Sequence, residues 1–411
     1  MRVSDMPHQV YIIQPYIKWG KKKNRLTTPQ LQLDEGIALI NTLPEWKVVG
    51  TRIISSISFD KKTFFNTGQL ESVKDTIKNE IISALFINTK LLKIGQLILL
   101  EKLLGVPIFD RYSIIINIFK AHAHTKEAKL QVALAEIPYI FSRIYGVHEN
   151  ESIISRLKLL KEYKRKLGKA VEDVRRKRDL LRSRRKELQF PIVAIVGYTN
   201  AGKTSLIKCL TEDNNLIPED KLFATLDVTA HSVKLPNNIN AILMDTIGFI
   251  NDIPTDLLEP FVATLEDALL ADVIVHVKDI SHPDHVAQET EVLETLKKLN
   301  LPDDVYNNII TIGNKCDKVK HIERNDNIHL ISCKNNEGVE DLKTMIADAI
   351  IKAKDMMKIR IRVANGGAEY QWLLKESAVS DITVDKDPQY LLLNVYITKA
   401  KFNKFKHKFV K

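Results

Sequence analysis

Short apolar segments alternate with polar, helix-forming segments through the middle of the chain. Four of them have the length of a buried strand and are followed by a polar loop: residues 192–196, 241–244, 309–312 and 329–331. The first loop leads into a helix-like segment at 205–210. Strands that alternate with helices in this way predict a parallel sheet in an α/β domain.

The N-terminal part of the chain is patterned less regularly. Residues 10–13 and 46–49 resemble strands, and residues 31–43 and 77–86 resemble helices. This mixture predicts a separate α/β domain, with helices at its end, over residues 1–150.

The C-terminal part predicts a small α+β domain. Residues 359–363 and 391–397 resemble strands, and residues 368–375 resemble a helix. The tail 399–411 places phenylalanines between lysines. Aromatic side chains between cations can stack on nucleic-acid bases, and a terminal helix or strand with its Phe side packed inward fits the same pattern.

A segment without proline, residues 152–189, predicts one long helix. Between positions 156 and 186 it contains fifteen Lys/Arg and four acidic residues. Such a helix suits a hairpin, or packing on the N-terminal domain, with its basic face along RNA. A solvated strut and a membrane-surface or calmodulin-target helix are the alternatives. Its apolar residues recur every seven positions, at Ile153, Leu160, Leu167, Val174 and Leu181.

The loop after the first central strand predicts phosphate binding. Residues 197–204 fit the pattern G-x-x-x-x-G-K-[ST] between a strand and a helix. In this setting, backbone N–H groups and the positive end of the helix surround phosphate oxygens. Lys203 is predicted to reach the β- and γ-phosphates, and the Thr204 hydroxyl to ligand Mg²⁺. The nucleotide-binding residues of this loop are Gly197, Tyr198, Thr199, Asn200, Ala201, Gly202, Lys203 and Thr204.

A second motif closes the strand 241–244, at the edge where open α/β sheets bind ligands. It consists of Asp245, Thr246, Ile247 and Gly248. The Asp245 carboxylate is predicted to hold Mg²⁺ through water, and the Gly248 N–H to sense the γ-phosphate.

Two further loops predict the base site. The carboxylate of Asp317 can accept hydrogen bonds from both N1 and N2 of guanine, a donor pair that adenine lacks, so GTP is expected rather than ATP. A shorter loop after strand 329–331 resembles the loop that backs the base in GTPases. The residues of the two loops are Asn314, Lys315, Cys316, Asp317, Ser332, Cys333 and Lys334.

Two positions bear on the rate of hydrolysis. Many GTPases place a glutamine after the switch glycine to orient water, but this chain has Phe249, which cannot hydrogen-bond water. We therefore expect slow hydrolysis that depends on a partner. Asn200 stands where potassium-activated GTPases hold a K⁺ ion, and a bond from its side chain to the loop backbone is the alternative.

Five segments are distinctive beyond the general nucleotide motifs: 103–111 (LLGVPIFDR), 125–135 (TKEAKLQVALA), 222–227 (LFATLD), 245–250 (DTIGFI) and 261–267 (FVATLED). They resemble the HflX family of translational GTPases, over about residues 10–350. The sequences at 226–231 and 278–283 look closer to the animal mitochondrial branch than to bacterial members.

This resemblance implies a factor that hydrolyses GTP, binds the large ribosomal subunit, separates subunits or checks a late subunit, and leaves on hydrolysis. It implies that Thr225 ligands Mg²⁺ in the GTP state, so that Thr204, Thr225 and Asp245 form the metal site. Lys203, Thr225 and Gly248 are the expected catalytic residues. The other nucleotide contacts implied for the Thr225 switch are Phe223, Ala224, Leu226 and Asp227.

The chain also departs from the family. Bacterial members have a Gly-rich loop where residues 140–154 contain only Gly146. They tend to have Pro-Thr-Thr-Arg where residues 228–231 read Val-Thr-Ala-His. The missing arginine weakens the expectation of an arginine finger supplied by this switch.

Together these patterns predict an α/β fold class, with a P-loop GTPase domain at residues 190–353. An α/β N-terminal domain (1–150) and a long basic helical segment (151–189) precede it, and a small α+β domain (354–411) follows it.

Charge is divided unevenly between these regions. Residues 190–352 contain 14 Lys/Arg and 26 Asp/Glu, a net charge of −12, whereas the whole chain is +10, which leaves +22 outside the segment. A partner rich in phosphate, such as rRNA, explains this division; a solvated lysine-rich surface is the alternative. A nucleotide-gated RNA-binding scaffold and a regulatory GTPase with a protein partner remain alternative functions.

Three cysteines fit a reducing compartment. The most apolar stretch, residues 94–109, contains charged residues and predicts a core element, so no membrane insertion is expected. The resemblance favours a mitochondrial location, although the first residues make a poor transit peptide, and a cytoplasmic location is the alternative. We expect a monomer.

Overall fold

Three sheets follow one another along the described part of the computed structural model. The structure describes residues 8–20, 26–60, 62–145, 151–188, 190–213, 215–226, 228–251, 270–299, 301, 303–319 and 328–410. Side chains are described for these residues except 142–145, 151–156, 175, 177–188, 303 and 304.

The first sheet is built from parallel strands and their connecting helices. The strands are β1 His8–Ile17, β2 Trp46–Ser56, β3 Ala84–Ile87 and β4 Ile108–Phe109. The helices are α1 Pro29–Asn41, α2 Thr67–Asn79 and α3 Ile94–Leu104. The strand order is β2-β1-β3-β4, with every pairing parallel.

The helix predicted over 77–86 is wrong in its second half. α2 ends at Asn79, and the buried residues Ala-Leu-Phe-Ile form β3 instead. A short apolar run fits a buried parallel strand as well as a buried helix. α1 begins at Pro29, two residues before the predicted start, because the Thr28 hydroxyl caps it and a proline occupies its first turn.

Three helices connect the first sheet to the second. They are α4 Arg111–His122, α5 Lys126–Tyr145 and α6 Glu151–Leu188. Asp110 caps α4 by accepting a hydrogen bond from Ser113 N at 2.9 Å. The long basic helix predicted from the sequence corresponds to α6, which packs against α5 as a helix hairpin. Leu167, on its apolar stripe, is buried.

The second sheet positions the nucleotide motifs. Its strands are β5 Ile192–Gly197, β6 Thr229–Leu235, β7 Ile239–Asp245, β8 Val273–Asp279, β9 Ile310–Asn314 and β10 His329–Leu330. The helices described around it are α7 Lys203–Thr211, α8 His285–Lys298, α9 Asp303–Tyr306 and α10 Val339–Ala353. The order is β10-β9-β8-β5-β7-β6, and only β6 is antiparallel to its neighbour. The carboxyl ends of β5, β7, β9 and β10 therefore share one edge.

The third sheet is antiparallel and small. Its elements are β11 Met356–Ala364, α11 Ala368–Glu376, β12 Ala378–Val384, β13 Tyr390–Thr398 and α12 Lys399–Phe409. The strand order is β11-β13-β12. Phe405 of α12 is buried, and its ring lies 5.5 Å from Trp372 and 5.3 Å from Phe409. The phenylalanines of the tail therefore pack inward, which removes the base-stacking interpretation.

The apolar stretch 94–109 is a core element, as predicted, because Leu97, Leu100 and Ile108 are buried. Among the described residues, no helix combines the length and apolar character that a membrane crossing requires. Cys209, Cys316 and Cys333 are free thiols. The fold class is α/β, as the sequence predicts.

Candidate nucleotide-binding site

Two glycines shape the loop between β5 and α7. Gly202 has a φ of +95°, and a Cβ at this position would lie 2.2 Å from Asn314 Nδ2. A Cβ at Gly197 would lie 2.4 Å from the carbonyl oxygen of Val277. Both positions therefore require glycine, as the phosphate-loop pattern predicts.

Lys203 begins α7, and its side chain is buried. Its Nζ donates to the carbonyl oxygens of Tyr198 at 2.9 Å and Gly197 at 3.3 Å. Burial lowers the pKa of Lys203 to about 8, although the Asp245 carboxylate opposes this shift. An ammonium group that donates to two carbonyl oxygens retains a third N–H, which can bind an anionic phosphate oxygen.

Three side-chain oxygens converge beside this loop. Thr204 Oγ1 donates to Asp245 Oδ2 at 2.7 Å, and Thr225 Oγ1 donates to the same oxygen at 3.1 Å. The two hydroxyl oxygens are 3.0 Å apart. The other carboxylate oxygen, Asp245 Oδ1, is buried and has no hydrogen-bond partner among the described residues. Mg²⁺ prefers oxygen ligands of this kind, so the three residues fit a magnesium site.

The chain after β7 lies against the phosphate loop. Phe249 N donates to Gly197 O at 3.1 Å, and Thr199 N donates to Phe249 O at 2.7 Å. A Cβ at Gly248 would lie 2.8 Å from Thr199 Cα and 3.0 Å from Lys203 Nζ. Gly248 is thus placed where its backbone approaches the phosphate end of the cleft. The Phe249 ring is buried in the core and cannot orient water.

Thr246 and Ile247 are buried between these functional positions. Thr246 Oγ1 donates to Ile195 O at 2.7 Å, and the side chain of Ile247 belongs to the core. Their side chains therefore stabilise the end of β7, and only their backbone atoms can contact a nucleotide.

The Thr225 segment approaches the site from the other side. Phe223 and Ala224 line the same cleft as Thr225 and Gly248. Leu226 is buried in the core, and Asp227 lies outside the described residues. Of the five residues predicted here, three therefore face the cleft and one is structural through its side chain.

The base end is held together by side-chain hydrogen bonds. Asn314 Nδ2 donates to Ala201 O at 2.9 Å, and Cys333 N donates to Asn314 Oδ1 at 3.3 Å. Ser332 Oγ donates to Asp317 Oδ1 at 2.7 Å, and this bond holds the pKa of Asp317 below its usual value. Asp317 is therefore an ionised acceptor, as recognition of guanine requires.

Lys315 ties the base end to the phosphate loop. Its Nζ donates to Asn200 O at 2.8 Å and forms an ion pair with Asp279 at 2.7 Å. Between these residues lies a cleft of about 370 Å³, large enough for a nucleoside. Its lining includes the predicted residues Asn200, Gly202, Asn314, Lys315, Asp317, Cys333 and Lys334. Cys316 is partly exposed, and its N donates to Ile331 O at 3.2 Å.

Of the two roles predicted for Asn200, the side-chain bond to the loop backbone is not the one its amide makes, and the K⁺ role stays a prediction. Its Nδ2 donates to Asp220 Oδ1 at 2.7 Å, so the amide bonds a neighbouring side chain and not the loop backbone. Its backbone has a φ of +60°, a conformation that asparagine tolerates better than most residues.

Sequence reasoning missed the segment between α7 and the Thr225 switch. Pro218, Glu219 and Lys221 line the cleft, and Asp220 holds Asn200. This loop has no motif of its own, and only its position between two motifs could have indicated it. His122 Nδ1 donates to Phe223 O at 2.7 Å, a contact that no sequence motif indicates.

Comparisons with known proteins agree with this geometry. A family model described as 50S ribosome-binding GTPase matches residues 192–315, and one described as GTP-binding GTPase N-terminal matches residues 30–120. Putative GTP-binding protein 6 of Xenopus laevis is 40% identical, over 98% of this chain and 80% of that protein. GTPase HflX of Magnetococcus marinus is 33% identical, over 89% of this chain and 88% of that protein. A GTP-binding protein of Arabidopsis thaliana, described as chloroplastic, is 29% identical, over 93% of this chain and 70% of that protein.

The fold and the site define a P-loop GTPase, an enzyme that hydrolyses GTP. The chain belongs to the HflX family of GTPases, and the resemblance of its motifs to that family, including its animal members, is confirmed.

Proposed function

We propose that this GTPase binds the large ribosomal subunit through rRNA and acts in ribosome splitting and recycling or in late assembly of that subunit. The observation that carries the proposal is the set of exposed cations on α6, a helix that packs on α5 and buries Leu167. These exposed cations are Lys158, Lys161, Lys164, Arg165, Lys166 and Lys169. The description of the family model that matches residues 192–315 supports the same partner.

Electrostatics favours RNA over a protein partner. Exposed cations along one helix neutralise phosphates and release their counterions. α12 adds a second set, because Lys399, Lys404, Lys406 and Lys408 are exposed while its phenylalanines pack inward. The net charge of −12 on the GTPase segment repels a polyanion, so we expect the flanks to make the contact.

Within the nucleotide site, each polar group has a proposed role. Asp317 accepts hydrogen bonds from guanine, and Lys203 donates to the phosphates. Thr204, Thr225 and Asp245 hold a magnesium ion, which when bound neutralises charge on the phosphate oxygens. Gly248 contributes its backbone N–H near the γ-phosphate.

The rate of hydrolysis depends on a partner in this proposal. Because the Phe249 side chain is buried, no side chain at that position orients the attacking water. Hydrolysis by the chain alone is therefore slow, and binding to the large subunit accelerates it. A K⁺ ion beside Asn200 is a further proposal, with the Asn200 side-chain oxygen as ligand.

The proposed domain boundaries follow the three sheets. They are 1–150 for the N-terminal α/β domain, 151–189 for the basic helical segment, 190–353 for the GTPase domain and 354–411 for the α+β domain. We also propose a monomer in an organelle, with the mitochondrion preferred and the cytoplasm as the alternative. The chloroplastic description of the Arabidopsis relative supports an organellar location.

Sedimentation of the chain with ribosomes tests the function. We expect the chain to sediment with large subunits in the presence of a non-hydrolysable GTP analogue and to be released with GDP. Catalytic amounts with GTP should convert joined ribosomes into subunits if splitting is the task. Binding to large subunits without multiple turnover would favour the scaffold, and binding to neither subunit would contradict the proposal.

A further inference from the structure

Helix α4 contacts both segments that border the phosphate end of the site. Arg111 is its first residue and His122 its last. Its twelve residues place the two ends about 17 Å apart. Arg111 also completes the segment 103–111, which resembles the HflX family but belongs to no nucleotide motif.

The N-terminal end of α4 binds the chain that follows Gly248. Arg111 Nε donates to Asn251 O at 3.1 Å, and Nη1 donates to Asn88 Oδ1 at 3.1 Å. Arg111 Nη2 forms an ion pair with Glu35 Oε2 at 2.9 Å. The Arg111 side chain is only 5% exposed, so these bonds are shielded from solvent.

Tyr198 completes this cluster from the phosphate loop. Its hydroxyl accepts a hydrogen bond from Asn251 N at 2.8 Å and donates to Glu35 Oε1. Burial raises the pKa of Tyr198 well above its ordinary value, so the hydroxyl keeps its proton and remains a donor. Arg111 therefore binds the carbonyl of Asn251, and Tyr198 binds the N–H of the same residue. Glu35 contacts both the Arg111 and the Tyr198 side chains.

The C-terminal end of α4 binds the segment that leads to Thr225. His122 Nδ1 donates to Phe223 O at 2.7 Å, and the Phe119 ring packs edge-on against the Phe223 ring at 4.9 Å. Phe223 has a φ of +53°, which is uncommon for a bulky residue and costs energy unless its surroundings hold it. α4 supplies those surroundings two residues before a proposed magnesium ligand.

We propose that α4 is a brace that fixes the Thr225 and Gly248 segments relative to each other, and that Arg111 is a positioning residue for GTP hydrolysis. It acts through Asn251 and Tyr198. The inference rests on the nucleotide site proposed above. Because the base end is held by bonds within the GTPase segment, loss of the brace should lower the rate of hydrolysis more than the affinity for GTP.

Three variants test the brace without relying on one substitution. Arg111→Gln removes the guanidinium but leaves the Glu35 charge without its ion-pair partner, which destabilises the fold. The pair Glu35→Gln with Arg111→Gln leaves no such charge. Tyr198→Phe removes only a hydroxyl and keeps the ring. Arg52→Gln is the matched control, because it removes an arginine that bonds Ser72 Oγ at 2.7 Å, away from α4.

Single-turnover hydrolysis at saturating GTP and the GTP dissociation constant are measured for each variant. We expect the rate to fall about tenfold or more in both Arg111 variants and about threefold in Tyr198→Phe, with the dissociation constant changed by less than about threefold. Tyr198→Phe combined with Arg111→Gln should be no slower than Arg111→Gln alone, because both act on Asn251. Arg111→Lys should recover part of the rate.

The brace would be overturned if Tyr198→Phe and the neutral pair, Glu35→Gln with Arg111→Gln, hydrolysed GTP as fast as Arg52→Gln does. It would also be overturned if these variants lost GTP affinity to the same extent as they lost rate. If the neutral pair does not fold, Tyr198→Phe decides alone. Lys203→Ala separates this failure from failure of the nucleotide site. Wild-type hydrolysis in Lys203→Ala would refute the site, whereas an inactive Lys203→Ala beside unaffected brace variants would refute the brace alone.

Discussion

The GTPase segment and its flanks use lysine and arginine in opposite ways. In residues 190–352, which carry a net charge of −12, two cations of the site are held by specific bonds. Lys203 donates to two loop carbonyls, and Lys315 donates to Asn200 O and pairs with Asp279. In the flanks, which carry +22, the described cations of α6 between positions 158 and 169 are exposed along the helix. A few cations fixed by hydrogen bonds suit one nucleotide, whereas many exposed cations suit a polyanion.

The two regions meet at α4, which belongs to the N-terminal part and touches the segments on both sides of the phosphates. Substitutions in the GTPase segment should therefore change hydrolysis and leave RNA binding unchanged. A change at Arg111 should change hydrolysis although this residue lies in a flank.

Lys203→Ala should remove the buried ammonium group from the phosphate end of the site. We expect hydrolysis to fall by at least about 100-fold, because a buried cation that contacts the transferring phosphate contributes several kcal/mol to the transition state. Binding to rRNA should not change, since the flanks retain their charge. Phosphate release and RNA filter binding measure the two effects. Lys234→Ala, on an exposed position of β6, is the control and should hydrolyse GTP normally.

Asp317→Asn should change which base the site accepts. The loss of two charge-assisted hydrogen bonds should weaken GTP about 10- to 100-fold. Xanthosine triphosphate should gain affinity, because its 2-oxo group needs a donor. Competition binding with both nucleotides measures the switch, and Asp341→Asn, at an exposed position of α10, controls for a lost carboxylate. Wild-type GTP affinity in Asp317→Asn would mean that the base site lies elsewhere.

The nucleotide motifs were predictable because each is local. A strand, a glycine-rich turn and a helix start lie within a few residues, so spacing alone predicts the phosphate loop and places Asp245 and Asp317 at one sheet edge. β3 was not predictable, because four apolar residues fit a strand and a buried helix equally. The contacts of the α4 brace could not be predicted from the sequence either. They join α4 to residues 101 and 140 positions away, and no spacing rule connects such residues.

Removing four cations from α6 should weaken RNA binding and leave the GTPase segment unaffected. Each lost phosphate contact should make the slope of log affinity against log salt shallower by up to about one unit. GTP affinity and intrinsic hydrolysis should not change. The substituted residues are Lys164, Arg165, Lys166 and Lys169, each changed to Gln, which keeps helix propensity.

A charge-matched control distinguishes a binding face from a general loss of charge. The control changes Lys47, Lys62, Lys74 and Lys78 to Gln, four exposed residues of the N-terminal region. It should retain the wild-type salt slope on rRNA. Equal slopes for the two variants would mean that α6 is a strut, and that the RNA surface should be sought on α12 or elsewhere in the flanks.

The smallest effect concerns the cation beside Asn200. With its Nδ2 bonded to Asp220 at 2.7 Å, the Asn200 amide is held at its nitrogen end, and its oxygen end is the one that can ligand K⁺. Hydrolysis in K⁺ should then exceed that in Na⁺ by about threefold, or about 0.7 kcal/mol in the barrier. Asn200→Ala should equalise the two salts, whereas Asp220→Asn, which can still accept the amide bond, should preserve most of the difference. Equal wild-type rates of hydrolysis in K⁺ and Na⁺ would mean that no potassium ion acts at this site. Because Phe249 cannot orient water, stimulation by the large subunit would then be the remaining source of acceleration.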